Sequence, residues 1–153
     1  PYMFIIAFVI GLVMWFVFNY TRHGKYMYAI GGNEAAAEVS GVNVKKTKII
    51  IYVTAAALYA IAGFLLGAKA GGASVNMGQG YELEAIAACT IGGVSVNGGI
   101  GRISGVVIGV LVFELLKSSM QFLGIQTNYQ YIVQGIVIIV AIALDIRKYI
   151  AKK

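Results

Sequence analysis

Apolar residues fall along this chain in long runs separated by polar segments. Residues 2–18 and 49–68 carry no charge, 103–125 are interrupted only by Glu114 and Lys117, and 131–144 are again uncharged. A helix that crosses the hydrocarbon of a bilayer needs about 20 apolar residues, with a range of about 17–25. The first two runs meet that length directly, the third meets it with polar interruptions, and the fourth does so if residues 128–130 begin its outer turn. A fifth run, 85–96, is short and rich in small residues. Its length alone would also suit a buried or re-entrant segment.

Composition agrees with the pattern. Hydrophobic residues make up 59% of the chain and charged residues 12%, about half the roughly 25% usual in soluble domains. Such a chain cannot cover its own surface with polar side chains in water, and low hydrophobicity, the signature of disorder, is absent. The single Cys89 excludes a disulfide framework and a Cys-rich zinc module. The expectation is an all-α polytopic membrane protein.

The net charge of +6 would suggest nucleic acid in a soluble protein, but its placement gives an orientation instead. Arg22, Lys25, Lys45, Lys46 and Lys48 lie within residues 20–48, and Arg147, Lys148, Lys152 and Lys153 follow the last apolar run. The positive-inside rule makes both segments cytoplasmic. With Glu34, Glu38 and Asp145 they hold the whole net charge, the rest of the chain being balanced, so no nucleic-acid partner is expected. Residues 69–84, with one Lys and two Glu, belong outside. Leaving through 49–68 and returning to a cytoplasmic tail requires an odd number of further crossings. The 85–96 run must then cross, drawing on residues 81–84 for length, with the 97–102 turn on the cytoplasmic side. The expected total is five crossings. Pro1 opens an apolar run without an initiator Met or a basic leader, which reads as a piece of a longer protein rather than a signal peptide.

Small residues recur at helical spacing. Gly101, Gly105 and Gly109 form a doubled GxxxG, and Gly63 with Gly67 forms another. Lipid gives helices no hydrophobic reason to associate, so close approach over small residues must hold them together. The partner face can lie within this chain or on a second copy. Residues 92–101 form a Gly-rich connector, and no Lys follows its glycines as a Walker A loop requires, so ATP is not bound by that motif. Ser95 would need a base to act as a nucleophile, and the only histidine, His23, lies in another segment. A turn serine and an interfacial histidine are the better reading. One His and one Cys on separate elements are no ligand set, and no metal or cofactor is expected.

Glu114, Lys117 and Gln121 share one helix face. Charges at that depth must be paired or face water, which leaves a Glu114–Lys117 pair or the wall of a polar pathway. No chain of carboxylates suggests proton coupling, so an ion-coupled secondary transporter, the alternative function, rests on Glu114 alone.

The 20–48 segment is too long for a simple reversal. Asn33 is a good N-cap, Glu34 suits the positive end of the helix dipole, Ala35, Ala36 and Ala37 favour helix, and Gly41 can supply a left-handed stop. The resulting helix, 34–40, has a small apolar face from Ala35, Val39 and Val42. A helix of about two turns is marginal alone. It needs a surface to dock on, either its own membrane domain or a soluble partner.

Several motifs are also familiar. Thr21 to Gly24, Ala29 to Gly31, Asn33, Ala35 to Ala37 and Ser40-Gly41 are similar to the cytoplasmic coupling loop of ABC-type sugar importer permeases of the ribose/galactose/xylose branch. The likeness continues through residues 81–88, Gly92 to Ser95, Gly98 to Gly101 with Gly105, residues 129–135 and Ala143-Leu144-Asp145. It covers nearly the whole chain in order, most closely for galactose/methyl-galactoside permeases. The resemblance implies the C-terminal half of a subunit of about ten helices, in the bacterial inner membrane with its C-terminus cytoplasmic. It implies a homodimer around one pathway, two ATP-binding subunits beneath, and a periplasmic binding protein that delivers the monosaccharide. The coupling residues would be Gly31, Gly32, Asn33, Glu34, Ala35, Ala36, Ala37, Val39, Ser40 and Gly41. The chain would transport without catalysing, ATP hydrolysis belonging to the partner. It departs from the family where Lys117-Ser118-Ser119 replaces an Asn-x-Gly pattern, and in carrying Glu114.

Overall fold

The computed structural model describes residues 2–150; Pro1 and the basic residues Lys152 and Lys153 of the tail lie outside the described residues. The described residues form seven helices and no strand. They divide into two compact units, 1–79 and 80–153.

In the first unit, α1 (Tyr2–Tyr20) is apolar all round and buries none of its residues. A helix apolar on every side is one that lies in protein or lipid rather than in water. Its 19 residues reach about 28 Å at about 1.5 Å per residue, close to the ~30 Å hydrocarbon thickness. Trp15, Phe16 and Tyr20 cluster at its end, with Tyr20 5.4 Å from Trp15 and 5.5 Å from Phe16, as an interfacial aromatic belt requires. Thr21 then both ends α1 and starts α2 (Arg22–Gly32): its hydroxyl donates to Val17 O at 2.6 Å and accepts from Gly24 N at 3.3 Å. Gly24 is buried, and a Cβ there would run into the carbonyls of Val17 and Phe18. The chain can therefore fold back tightly on the end of α1. Asn33 separates α2 from α3 (Glu34–Val39), and Asn43 caps α4 (Val44–Ala70) by accepting from Lys46 N at 3.0 Å. Lys45, Lys46 and Lys48 thus belong to the first turns of α4 rather than to the preceding loop.

The second unit is an up-down-up arrangement of α5 (Tyr81–Ile91), α6 (Ile103–Phe122) and α7 (Thr127–Ile150). Its core is Ala87, Ala88 and Phe113, flanked by Ile91 and Ile138. α5 and α6 meet backbone to backbone. A Cβ on Gly105 would strike the Gly92 carbonyl, and one on Gly109 would strike the Ala88 carbonyl and come within 2.7 Å of Gly92 N.

Four helices among the described residues are long and apolar enough to cross a membrane: α1, α4, α6 and Thr127–Arg147 of α7. The fifth stretch differs from its expected form. It does extend back to Tyr81, but the helix stops at Ile91 instead of continuing to Val96. The stop has a local cause. Gly93 takes φ 83°, and the bonds Gly93 N to Thr90 O (3.0 Å) and Val94 N to Cys89 O (3.0 Å) close a Schellman motif. Its 11 residues cover only about 16 Å. The stretch nevertheless runs most of the length of the bundle. Gly80 lies against the Tyr131 ring near the start of α7, and Ser95 bonds Asp145 near its other end. Residues 131 to 145 of a helix span about 21 Å. The last part of that distance is covered by non-helical backbone, which a membrane protein tolerates only where protein satisfies it. Here Ser95 N donates to Ile100 O (2.9 Å), and Val96 N donates to Asp145 Oδ2 (3.2 Å).

Candidate functional site

Two groups of residues stand out, one in each unit. The first is the α2–α3 segment. Asn33 is extended and serves both neighbours: its N–H donates to Ala29 O at the end of α2 (3.0 Å), and its Oδ1 accepts from Ala36 N at the start of α3 (3.0 Å). At the other end Gly41, at φ 86°, allows Gly41 N to reach Glu38 O (2.9 Å) and Val42 N to reach Ala37 O (3.1 Å). Six residues are too few to hold a helix in water, so both caps and a docking contact are needed. The contact comes from Ala37, which is buried. An ion pair from Lys48 on α4 to Glu34 (2.7 Å) adds a tether. Exposed as it is, this pair contributes about 0–1 kcal/mol.

The inward face of α3 is not the expected one. Ala35 and Val39 point out, Val39 being 90% exposed, and Val42 is half-buried. Ala37 takes the inner position because the Gly41 turn sends the chain away just beyond it. α3 therefore presents Ala35, Ala36 and Val39 to the outside, with exposed Gly32 beside them and Gly31 half-buried. Replacing Asn33 with Ala is expected to remove about 1 kcal/mol of helix stability, within a range of about 0.5–2. Hydrogen exchange should then quicken in α3 and not in α4.

The second group lies between α5 and α6. Lys117 does not pair with Glu114. Its ammonium bonds both carboxylate oxygens of Glu84, at 2.7 and 3.0 Å, and sits 5.6 Å from the centre of the Tyr81 ring. Glu114 and Gln121 are exposed on α6 and do not join this pair. The sequence reading missed Glu84 because it weighed only neighbours on one helix. The signal was available in the small residues: Gly92 on Gly105 and Ala88 on Gly109 set an antiparallel register that puts Glu84 opposite Phe113, and the long Lys117 side chain, one turn further along α6, reaches back to it. Two glutamines on α7 were also missed as core residues. Gln130 and Gln134 are 5% and 2% exposed, and Gln130 Nε2 donates to Ile125 O at 2.9 Å.

The remaining candidates separate cleanly. Ser95 is buried in the turn after α5 and donates to Asp145 Oδ2 (2.8 Å), so its partner is a carboxylate on α7. His23 is exposed on α2, in the other unit. Gly101 meets Val94, and Gly105 and Gly109 meet α5, whereas a Cβ on Gly63 would meet nothing and one on Gly67 only the Gly72 carbonyl at 3.9 Å. Among the described residues no group of His, Cys, Asp and Glu is arranged to hold a metal.

The chain matches, over residues 2–142, the family described as the branched-chain amino acid transport system / permease component. It is 45% identical over 152 residues to the galactose/methyl galactoside import permease protein of Haemophilus influenzae, covering 99% of this chain and 45% of that protein. It is 44% identical over 140 residues to the ribose import permease protein of Escherichia coli, covering 92% of this chain and 44% of the relative. To the xylose transport system permease protein of Haemophilus influenzae it is 44% identical over 145 residues, covering 95% and 39%. The chain thus spans less than half the length of these relatives. No solved structure gives a significant match. The chain is a multi-pass membrane protein that belongs to this permease family, on the side of its sugar ABC importers.

Proposed function

We propose that this chain is the translocating part of an ATP-driven sugar importer, carrying a monosaccharide, galactose or a methyl galactoside, across a bacterial inner membrane. The observation that carries the reading is α3: a doubly capped helix, fixed by Ala37 and Glu34, that holds Ala35, Ala36 and Val39 outward. A rigid apolar knob of this kind is suited to sit in a groove on a soluble partner. That partner is an ATP-binding-cassette ATPase, whose closure would move α3 and, through α2 and the Lys48 tether, α1 and α4. Residues 20–48 are then the coupling loop. Gly31, Gly32, Asn33, Glu34, Ala35, Ala36, Ala37, Val39, Ser40 and Gly41 set its shape and contact surface, with the C-terminus on the same cytoplasmic side. A periplasmic sugar-binding protein would supply the cargo. The names of the galactose/methyl galactoside relatives support that sugar, and the ribose and xylose relatives stand nearly as close.

The open face of α4 at Gly63 and Gly67 suits a helix from elsewhere in the assembly, in this reading a second permease copy. Glu114 and Gln121, exposed on α6 beside Lys117, are proposed to face the pathway. The test is co-purification. Gly32 and Ala36 are exposed, and a Cβ on Gly32 meets nothing, so Gly32→Glu with Ala36→Glu leaves the fold intact. A full-length permease with both changes is expected to lose its ATPase subunit and at least tenfold of its uptake. Full association and full uptake would overturn the coupling role. Uptake in vesicles driven by an ion gradient without ATP would point to a secondary transporter instead.

A further inference from the structure

The α5–α6 hairpin is closed in different ways at its two ends. Around Gly92, Gly105 and Gly109 the backbones touch, and no side chain stands between them. Two turns back along α5 the helices are bridged by long charged side chains, Glu84 and Lys117, which are 17% and 22% exposed. α7 contributes a third polar group to that region. Gln134 is 2% exposed, and its Oε1 has no hydrogen-bond partner among the described residues. Its level follows from its neighbours. Tyr131, one turn earlier, lies against Gly80, Ile138, one turn later, packs on the cluster of Ala87, Ala88 and Phe113, and Asp145 further on bonds Ser95, which fixes the register of α7 along α5. Gln134 therefore lies at the level of Glu84.

We propose that Glu84, Lys117 and Gln134 form a polar layer that takes up hydroxyl donors when α5 parts from α6, the Glu84–Lys117 pair being its latch and the glycine contact its hinge. The proposal rests on the permease reading above and adds to it the part of the pathway that opens. The strength of the latch depends on water. In dry, low-dielectric surroundings the two charges hold each other strongly, and parting them would strand both. Once water reaches them each is hydrated, and the attraction falls toward its small value in water. An apolar contact of the same size has no such dependence. Gln134 biases the same step. A buried acceptor without a donor is unfavourable, and a hydroxyl entering between α5 and α7 would satisfy it. The glycine end has nothing to unlock, so α5 can pivot there while its Tyr81 end swings. Water and a polyhydroxylated cargo offer the same donor chemistry.

The experiment uses the full-length permease with its ATPase in proteoliposomes. Glu84→Gln is expected to lower both folded yield and uptake at least tenfold, since it leaves Lys117 unpaired. The exchange Glu84→Lys with Lys117→Glu should return uptake to within about threefold of wild type. The apolar pair Glu84→Leu with Lys117→Met should recover folded yield and thermal midpoint but leave uptake at least tenfold down. An apolar pair that transports like wild type would reduce the ion pair to a structural prop and overturn the latch, as would a well-folded exchange variant without uptake. Hydrogen exchange checks the latch independently of transport, so that a wild type that carries no sugar refutes the permease reading alone. Residues 81–84 should exchange at least fivefold more slowly in the apolar pair than in wild type, with 88–92 unchanged; equal rates would sink the latch. Gln134→Leu separates the donors. Slower exchange at 81–84 with unchanged sugar dependence assigns the acceptor to water, and a raised half-saturating sugar concentration assigns it to the cargo. No change in either removes Gln134 from the layer.

Discussion

A leucine in place of Gly109 is expected to leave the second unit unable to close, with almost no folded protein recovered from the membrane. Gly109 is buried in α6 where α5 crosses it, and an added Cβ would strike the Ala88 carbonyl and stand 2.7 Å from Gly92 N and 3.0 Å from Gly92 Cα. Every one of those neighbours is backbone, so none can swing aside as a side chain would. Even Gly109→Ala is expected to destabilise. Overpacking costs about 1–3 kcal/mol, set against the ~1 kcal/mol that alanine gains over glycine inside a helix. Leucine adds a whole side chain to the clash. Gly135 is the control: it lies in α7, and its Cβ would meet nothing within 4 Å. Gly135→Ala should be neutral or stabilise by up to about 1 kcal/mol. Thermal midpoints of the full-length permease in detergent would compare the two. Equal midpoints for the two alanine variants would show that α5 and α6 do not touch at Gly109.

Asp145→Ala is expected to produce the next largest loss. Asp145 accepts from the Ser95 hydroxyl at 2.8 Å and from Val96 N–H at 3.2 Å, and Ser95 Oγ in turn accepts from Asn97 N at 3.3 Å. This one carboxylate therefore ties the non-helical end of the 81–96 stretch to α7. Without it the buried Ser95 hydroxyl and a backbone donor lose their partner, at about 1–3 kcal/mol for each group that stays buried. Asp145→Asn keeps an oxygen acceptor and should lose markedly less. If the tie is real, Ser95→Ala with Asp145→Ala should cost less than the sum of the single changes by about 0.5–3 kcal/mol. Hydrogen exchange at Val96, rapid in Asp145→Ala and protected in Asp145→Asn, would locate the effect. Unchanged protection at Val96 in the alanine variant would remove the tie.

These two sites show where local reading ends. α1, α4, α6 and α7 were legible because each is a long apolar run, and the caps of α3 were legible because capping is set by the residues it uses: Asn33 at one end and Gly41 at the other. Charge placement along the chain rests on the same one-dimensional information. α2 was not legible. It carries Gly24, Gly31 and Gly32 in a polar stretch, and what secures its start is the fit of Gly24 against the end of α1. Propensity does not see that contact.

The two glycine motifs were equivalent as strings, yet Gly105 and Gly109 receive α5 while a Cβ on Gly63 would meet nothing among the described residues. Lys117 had a carboxylate three residues away on its own helix and bonds another 33 residues away. The sequence by itself determined which segments leave water, where helices are capped and on which segments the basic charge of +6 is gathered, because solvation and capping depend on the residue and its near neighbours. Only the tertiary structure decided which glycine face is filled, where α5 stops being helical and which acid holds Lys117. Those outcomes turn on the register between helices, and a shift of one turn would give each of them a different partner.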